Sequence, residues 1–216
     1  MSGPNFSRQE IQAVIDHHRK HYSLHFEPED KVFLVGVRGY YLDSVGKAGK
    51  NDLGVWDDCI AWLSPTGHEA FRGNTDPSRV RKKGRNLAML DLGVWRFYRG
   101  RHRGKYAAFR AFPEGVKWNC TRAGKPSTCS HINIHYGSTW ATWSEGCQTI
   151  RKNEFLKDFQ PEVYHQIRKH KGAVLNNFKT RNGEWSRSTT IPYILIENKR
   201  IDGNQYFVDK DGRKCI

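Results

Sequence analysis

Between residues 31 and 198 the chain carries a series of short apolar runs, most of them ended by Gly, Asn, Asp or Pro. They are KVFLVGVRGYY (31–41), GVWDDCIAWLS (54–64), GVWRFYRG (93–100), KYAAFRAFP (105–113), VKWNCTRAG (116–124), HINIHYG (131–137) and TIPYILIEN (190–198). Runs this short and this rich in β-branched and aromatic residues are strand signals. In HINIHYG, Ile132 and Ile134 alternate with polar neighbours, as a half-buried strand requires. Ala123-Gly124-Lys125 marks a hairpin turn. Residues 65–86, polar and ending in the basic run Arg79 to Arg85, read as a long loop.

Two segments have helical spacing instead. Residues 8–21 follow Ser7, and Glu10 three positions on completes a capping box. Residues 154–172 form a second helical region, which Pro161 should break or kink. The expected fold is therefore mainly β (α+β): a sandwich or barrel of mixed strands with peripheral helices. No internal boundary appears, so residues 1–216 read as one domain. Within it, 1–30 is an N-terminal helical extension, 31–198 a β-rich core, and 199–216 a polar tail holding a last hairpin.

Hydrophobic residues make up 37% and aromatics 12%, enough for a core and too much for wholesale disorder. The formal net charge of +14 implies an anionic partner: nucleic acid, a membrane face or an acidic wall polymer. A solvated surface is the plainer account. The first residues read as an amphipathic helix rather than a secretory leader, and no run has transmembrane length. The expectation is synthesis in the cytoplasm. The five cysteines include no CxxC pair, and Cys129-Ser130-His131 is too tight a spacing to chelate. His17, His18, His21 and His25 lack the acidic residue of a HExxH pattern and read as a surface helix. No cofactor and no metal are expected.

The stretch HINIHYGSTWATWSEGCQTI (131–150) carries the chemistry. A cysteine after glycine in a tight turn can expose its sulfur, and the N–H groups around Gly146 and Cys147 could hold an oxyanion. A neighbouring imidazole could pair with the thiolate and lower its pKa. His135, twelve residues upstream, is the candidate base. His131 is its competitor, because four positions away on a strand it would point to the same face. Ser144 is either a turn residue or a donor beside the site, and Gly137 supports the loop. Tyr136, Trp140 and Trp143 either line a peptide or sugar groove or belong to the core. Asp57 and Asp58 could orient the histidine, although a strand end is the simpler account.

The same stretch resembles the catalytic motif of the L,D-transpeptidase family of peptidoglycan enzymes. Asn133-Ile134-His135-Tyr136-Gly137 is similar to the family's strand into His-Gly, with Tyr136 inserted. Ser144-Glu145-Gly146-Cys147 is similar to its Ser-x-Gly-Cys. LGVWRFYRG (92–100) resembles a glycine-containing strand upstream of the motif, so the likeness spans about residues 87–150. Glu145 stands where the family has a second His, and Gln148-Thr149-Ile150 replaces the usual apolar residue and Arg. The N-terminal third looks like small phage or prophage proteins.

The resemblance implies that Cys147 attacks a peptide carbonyl and forms a thioester, with His135 as base. It leaves open whether water or an amine accepts the acyl group. The expected partner is bacterial peptidoglycan, and basic residues would favour the anionic wall or outer-membrane surface. The expected protein is a monomeric phage lysis enzyme or delivered effector that acts in the periplasm or wall. A basic nucleic-acid-binding protein is the rival from another class.

Overall fold

The computed structural model describes residues 3–42, 53–77, 87–171 and 190–216. The basic run Arg79 to Arg85 lies outside the described residues. The chain is mainly β. Its strands are β1 (Phe33–Arg38), β2 (Asp58–Ser64), β3 (Gly67–Asn74), β4 (Ala88–Leu90), β5 (Gly93–His102) and β6 (Tyr106–Ala111). They continue with β7 (Trp118–Arg122), β8 (Lys125–Cys129), β9 (Asn133–Tyr136), β10 (Gln148–Ile150), β11 (Ile191–Ile201) and β12 (Asn204–Val208).

Eight strands run in the order β1-β2-β3-β10-β9-β6-β5-β11 and close into a barrel through a parallel β1–β11 pair, in which Leu34 meets Tyr193. β12 extends this sheet as a hairpin on β11, and β4-β7-β8 form a separate three-stranded sheet. Each barrel strand contributes to one buried cluster: Leu34, Ile60, Phe71, Ile150, Ile134, Phe109, Phe97 and Tyr193 in spatial order. Because side chains alternate along a strand, these residues define the interior and their sequence neighbours face out.

β3 falls where a long loop was expected. Its residues His68 and Glu69 are exposed, which gives the segment its polar look, while Phe71 packs inside. Ser64 pairs with Gly67 across a two-residue turn, so the strand's backbone is satisfied whatever its side chains.

Helix α1 (Arg8–His21) has the anticipated boundaries, and Ser7 and Glu10 form the capping box. It packs closely on the barrel. Ile11, Val14 and Ile15 are wholly buried in a second cluster with Val35, Val37, Ala61, Val94 and Ile194, on the outer face of β1, β2, β5 and β11. The second helical region starts with α2 (Lys152–Glu154), passes through a π turn (Phe155–Phe159) and continues as α3 (Gln160–Lys171). Pro161 has no N–H for a helical bond, and the register change falls just before it, with the Gln160 N–H reaching Phe155 O. Arg96 of β5 grips Asp30 with two nitrogens at 2.8 and 2.9 Å, and Lys171 adds a contact at 2.8 Å. This pairing ties the end of α3 to the barrel wall.

Candidate active site

The β5–β6 hairpin supplies one half of the site. Arg103 and Gly104 take positive φ values of 50° and 69°, and the Lys105 N–H closes the turn onto His102 O at 2.9 Å. His102 and Tyr106 are therefore directly opposed on one face, with rings stacked 5.2 Å apart. β9 lies beside β6 and supplies Asn133 and His135, whose parity is opposite to that of interior Ile134. β10 runs parallel to β9 with Gln148 opposite Ile134. This register places Cys147, just before β10, beside Asn133, and the Asn133 backbone N–H points at its sulfur at 3.4 Å.

His102, His135 and Cys147 converge on the outer wall of the barrel. One nitrogen from each ring and the cysteine Sγ all lie within 4.8 Å of one another. Both rings are held through Nδ1. His135 Nδ1 contacts Tyr136 O at 2.6 Å; a carbonyl only accepts, so Nδ1 carries the proton and Nε2 keeps a lone pair. His102 Nδ1 is 2.9 Å from the side-chain nitrogen of Asn133. Three further cysteines, Cys59, Cys120 and Cys129, are buried, whereas Cys147 is partly exposed.

Burial sets the protonation states. It pushes the Cys147 thiol up to about 11, although the Asn133 N–H and the positive charge of Arg103 act the other way. It pulls His135 down to about 4 against the bond to Tyr136, and His102 down to about 4 with help from His135 and Arg103. Tyr106 rises to about 12, first through burial and then through Tyr136 and Cys147. The resting state is thus a neutral thiol beside neutral imidazoles, rather than the thiolate–imidazolium pair expected from the sequence.

Several expected neighbours take other places. His131 is outside the strand, exposed, with φ 59°, so the strand alternation that would align it with His135 does not reach it; its carbonyl meets Cys147 Sγ at 3.6 Å. Ser144 is a turn residue, accepting from the Gly146 N–H at 3.0 Å and donating to Cys147 O at 2.5 Å. The Gly146 N–H is therefore engaged within the turn. A Cβ on Gly146 would lie 2.6 Å from Ala88 O, so only glycine lets this turn rest on β4, where the Ala88 N–H also bonds Glu145 O. The Gly137 N–H bonds Ile150 O at 2.9 Å, away from the sulfur. Tyr136 packs partly against the barrel interior and against Tyr106, with ring centres 4.4 Å apart. Trp140 and Trp143 are 91% and 68% exposed and serve no core, which leaves them available to a ligand. Asp58 accepts from the N–H groups of Gly39 and Thr75, and β3 and β10 lie between its strand and β9.

His102, Arg103 and Asn133 were not anticipated as site residues. His102 and Arg103 carry no local spacing signal, because only the β6–β9 pairing brings the β5–β6 turn to the motif, and Asn133, although inside the 131–150 stretch, gains its role from the register of β9 with β10. For the same reason the three possible metal ligands could not be read from sequence. The histidines of α1 behave differently from a surface helix: His17 Nε2 contacts Asp209 at 2.8 Å, and His18 is fully buried. Compared with protein-family models, with curated proteins and with solved structures, the chain matches none.

Proposed function

We propose that this protein is a peptidoglycan-active cysteine enzyme that cleaves stem-peptide bonds by acyl transfer to water. The observation that carries the reading is the His135–Cys147 arrangement. A partly exposed thiol sits at a strand entrance, beside an imidazole whose Nδ1 is fixed by a backbone carbonyl and whose Nε2 is free to act as a base. The likeness of residues 131–150 to the L,D-transpeptidase motif narrows the substrate to peptidoglycan peptides.

Cys147 Sγ attacks the carbonyl carbon while His135 Nε2 takes the thiol proton. The imidazolium then gives that proton to the leaving amine as the C–N bond breaks, leaving a thioester. Water, activated by the same Nε2, adds to the thioester; the acid departs and the thiol is restored. Both charges of the intermediate are transient, which suits a site that disfavours them at rest. The positive charge of Arg103, which already acts on Cys147, would favour the developing oxyanion. Trp140 and Trp143 offer flat apolar faces to a glycan or peptide.

The test is mass analysis of purified muropeptides incubated with the protein. Hydrolysis yields fragments whose masses sum to the substrate plus one water. Amine transfer yields cross-linked or exchanged products and would overturn the choice of water. Intact substrate with wild-type protein, or equal turnover by Cys147→Ser, would overturn the enzyme reading itself.

A further inference from the structure

We propose that His102, His135 and Cys147 form a binding site for a thiophilic divalent cation, zinc above all, and that the ion switches off the Cys147 thiol. The blocking effect rests on Cys147 being the nucleophile; the binding does not.

Two imidazoles and a thiol within 4.8 Å are a ligand set suited to zinc. Tetrahedral zinc holds its ligand atoms roughly 3.5 Å apart, so a contraction of about 1 Å would close the site. Side chains at the end of β5, on β9 and at the entrance to β10 can supply that by small torsions. The surroundings also match what a zinc shell needs. A ligating imidazole usually donates its second N–H to a carbonyl or amide oxygen. His135 Nδ1 already does so toward Tyr136 O. His102 Nδ1 faces the Asn133 amide, and Asn133 Oδ1 is buried without a hydrogen-bond partner among the described residues. Turning that amide over gives Oδ1 the His102 N–H and leaves His102 Nε2 as a ligand lone pair. The buried orphan oxygen thus has a use once the ion is present.

The sulfur is similarly prepared, since the Asn133 backbone N–H can donate to a bound thiolate. On binding, the S–H bond gives its proton to solvent and the sulfur pair forms the metal bond. Three protein ligands leave a fourth position for water, on the side where Cys147 is exposed. With the sulfur pair held by the ion, the thiol cannot attack a carbonyl.

The experiment uses the full chain, stripped with EDTA and titrated with Co²⁺ and then Zn²⁺. The expected result is one equivalent of Co²⁺ with a sulfur-to-cobalt charge-transfer band, displaced by one equivalent of Zn²⁺. Zinc should also protect Cys147 from iodoacetamide, and EDTA should restore the reaction. The band should vanish in Cys147→Ser and persist in Cys215→Ser and His131→Ala. Asn133→Ala should weaken binding by about 10- to 100-fold, as loss of a ligand-orienting partner does.

Circular dichroism separates misfolding from ligand loss. A band that survives in Cys147→Ser, wild-type affinity in His102→Ala, or undiminished alkylation in saturating zinc would overturn the site. Zinc that raises muropeptide cleavage would overturn the blocking role. If the metal-free protein cleaves nothing yet still binds zinc, the enzyme reading fails and the metal site stands.

Discussion

Cys147 and His135 lie side by side, but neither is charged at rest. With the thiol pushed up to about 11 by burial, the thiolate fraction grows about tenfold per pH unit across the neutral range. The rate of iodoacetamide reaction at Cys147 in metal-free protein should therefore keep climbing beyond pH 9. A plateau below the ordinary thiol value of about 8.5 would show a standing ion pair instead. On the proposed mechanism, His135→Ala should preserve that climbing profile while cutting muropeptide turnover by about 10²- to 10⁴-fold, because the base would act only in the substrate complex.

His18 gives a second test at this scale. It is fully buried, its Nε2 has no partner among the described residues, and burial lowers it to about 4. The unfolded chain binds this proton below about 6.5, whereas the native state binds it only below about 4. Stability should thus fall as pH drops through that window, by about 3 kcal/mol for this group. Urea denaturation at both ends of the window, compared with His18→Leu, isolates the contribution. An equal loss in the two proteins would mean His18 is not responsible.

At the scale of elements, α1 shows what local sequence can and cannot specify. Its start, end and capping box are local features and could be read from Ser7, Glu10 and the apolar spacing. Its role could not, because what Ile11 and Ile15 touch is decided by strands far along the chain. Ile15→Ala should cost about 2–5 kcal/mol, the usual range for emptying a buried aliphatic site. The urea midpoint checks this, and a change under about 0.5 kcal/mol, ordinary for a surface position, would show that the helix adds little to the core.

The same division explains the site. His135, Gly146 and Cys147 stood out because one continuous stretch carries them. His102 and Arg103 did not, because β5, β6 and β9 meet only through pairing, and Asn133, although inside that stretch, gains its role only from the register of β9 with β10. β3 was missed for a different reason: its outward residues hid a single inward Phe71.

Across the whole molecule, barrel closure and site geometry are joined through Tyr193. A Cβ on Gly36 of β1 would come within 2.0 Å of the Tyr193 hydroxyl, so glycine there is what lets the ring occupy the interior. That hydroxyl donates to Gln148 Oε1 at 3.0 Å, and Gln148 adjoins Cys147. Gly36→Ala should lower stability by about 1–3 kcal/mol, the usual cost of overpacking, and slow turnover as Gln148 shifts. Tyr193→Phe should leave closure intact and slow turnover alone. Thermal melts read beside muropeptide assays distinguish the two, and a Gly36→Ala protein with wild-type melting would show that the ring can move aside.

The pairing of β1 with β11 also imposes an order in time. A ribosome finishes β1 long before it makes β11, and until then Phe33–Arg38 has one unsatisfied edge and no closed interior to cover its apolar side. The emerging chain must hold that edge apart from other strands, by chaperone or by speed, since exposed edges template aggregation. A chain cut short before Ile191 would keep every residue of the Cys147 cluster yet lack the stave that closes the barrel behind it. Interrupted synthesis should therefore leave insoluble fragments rather than a partly closed barrel.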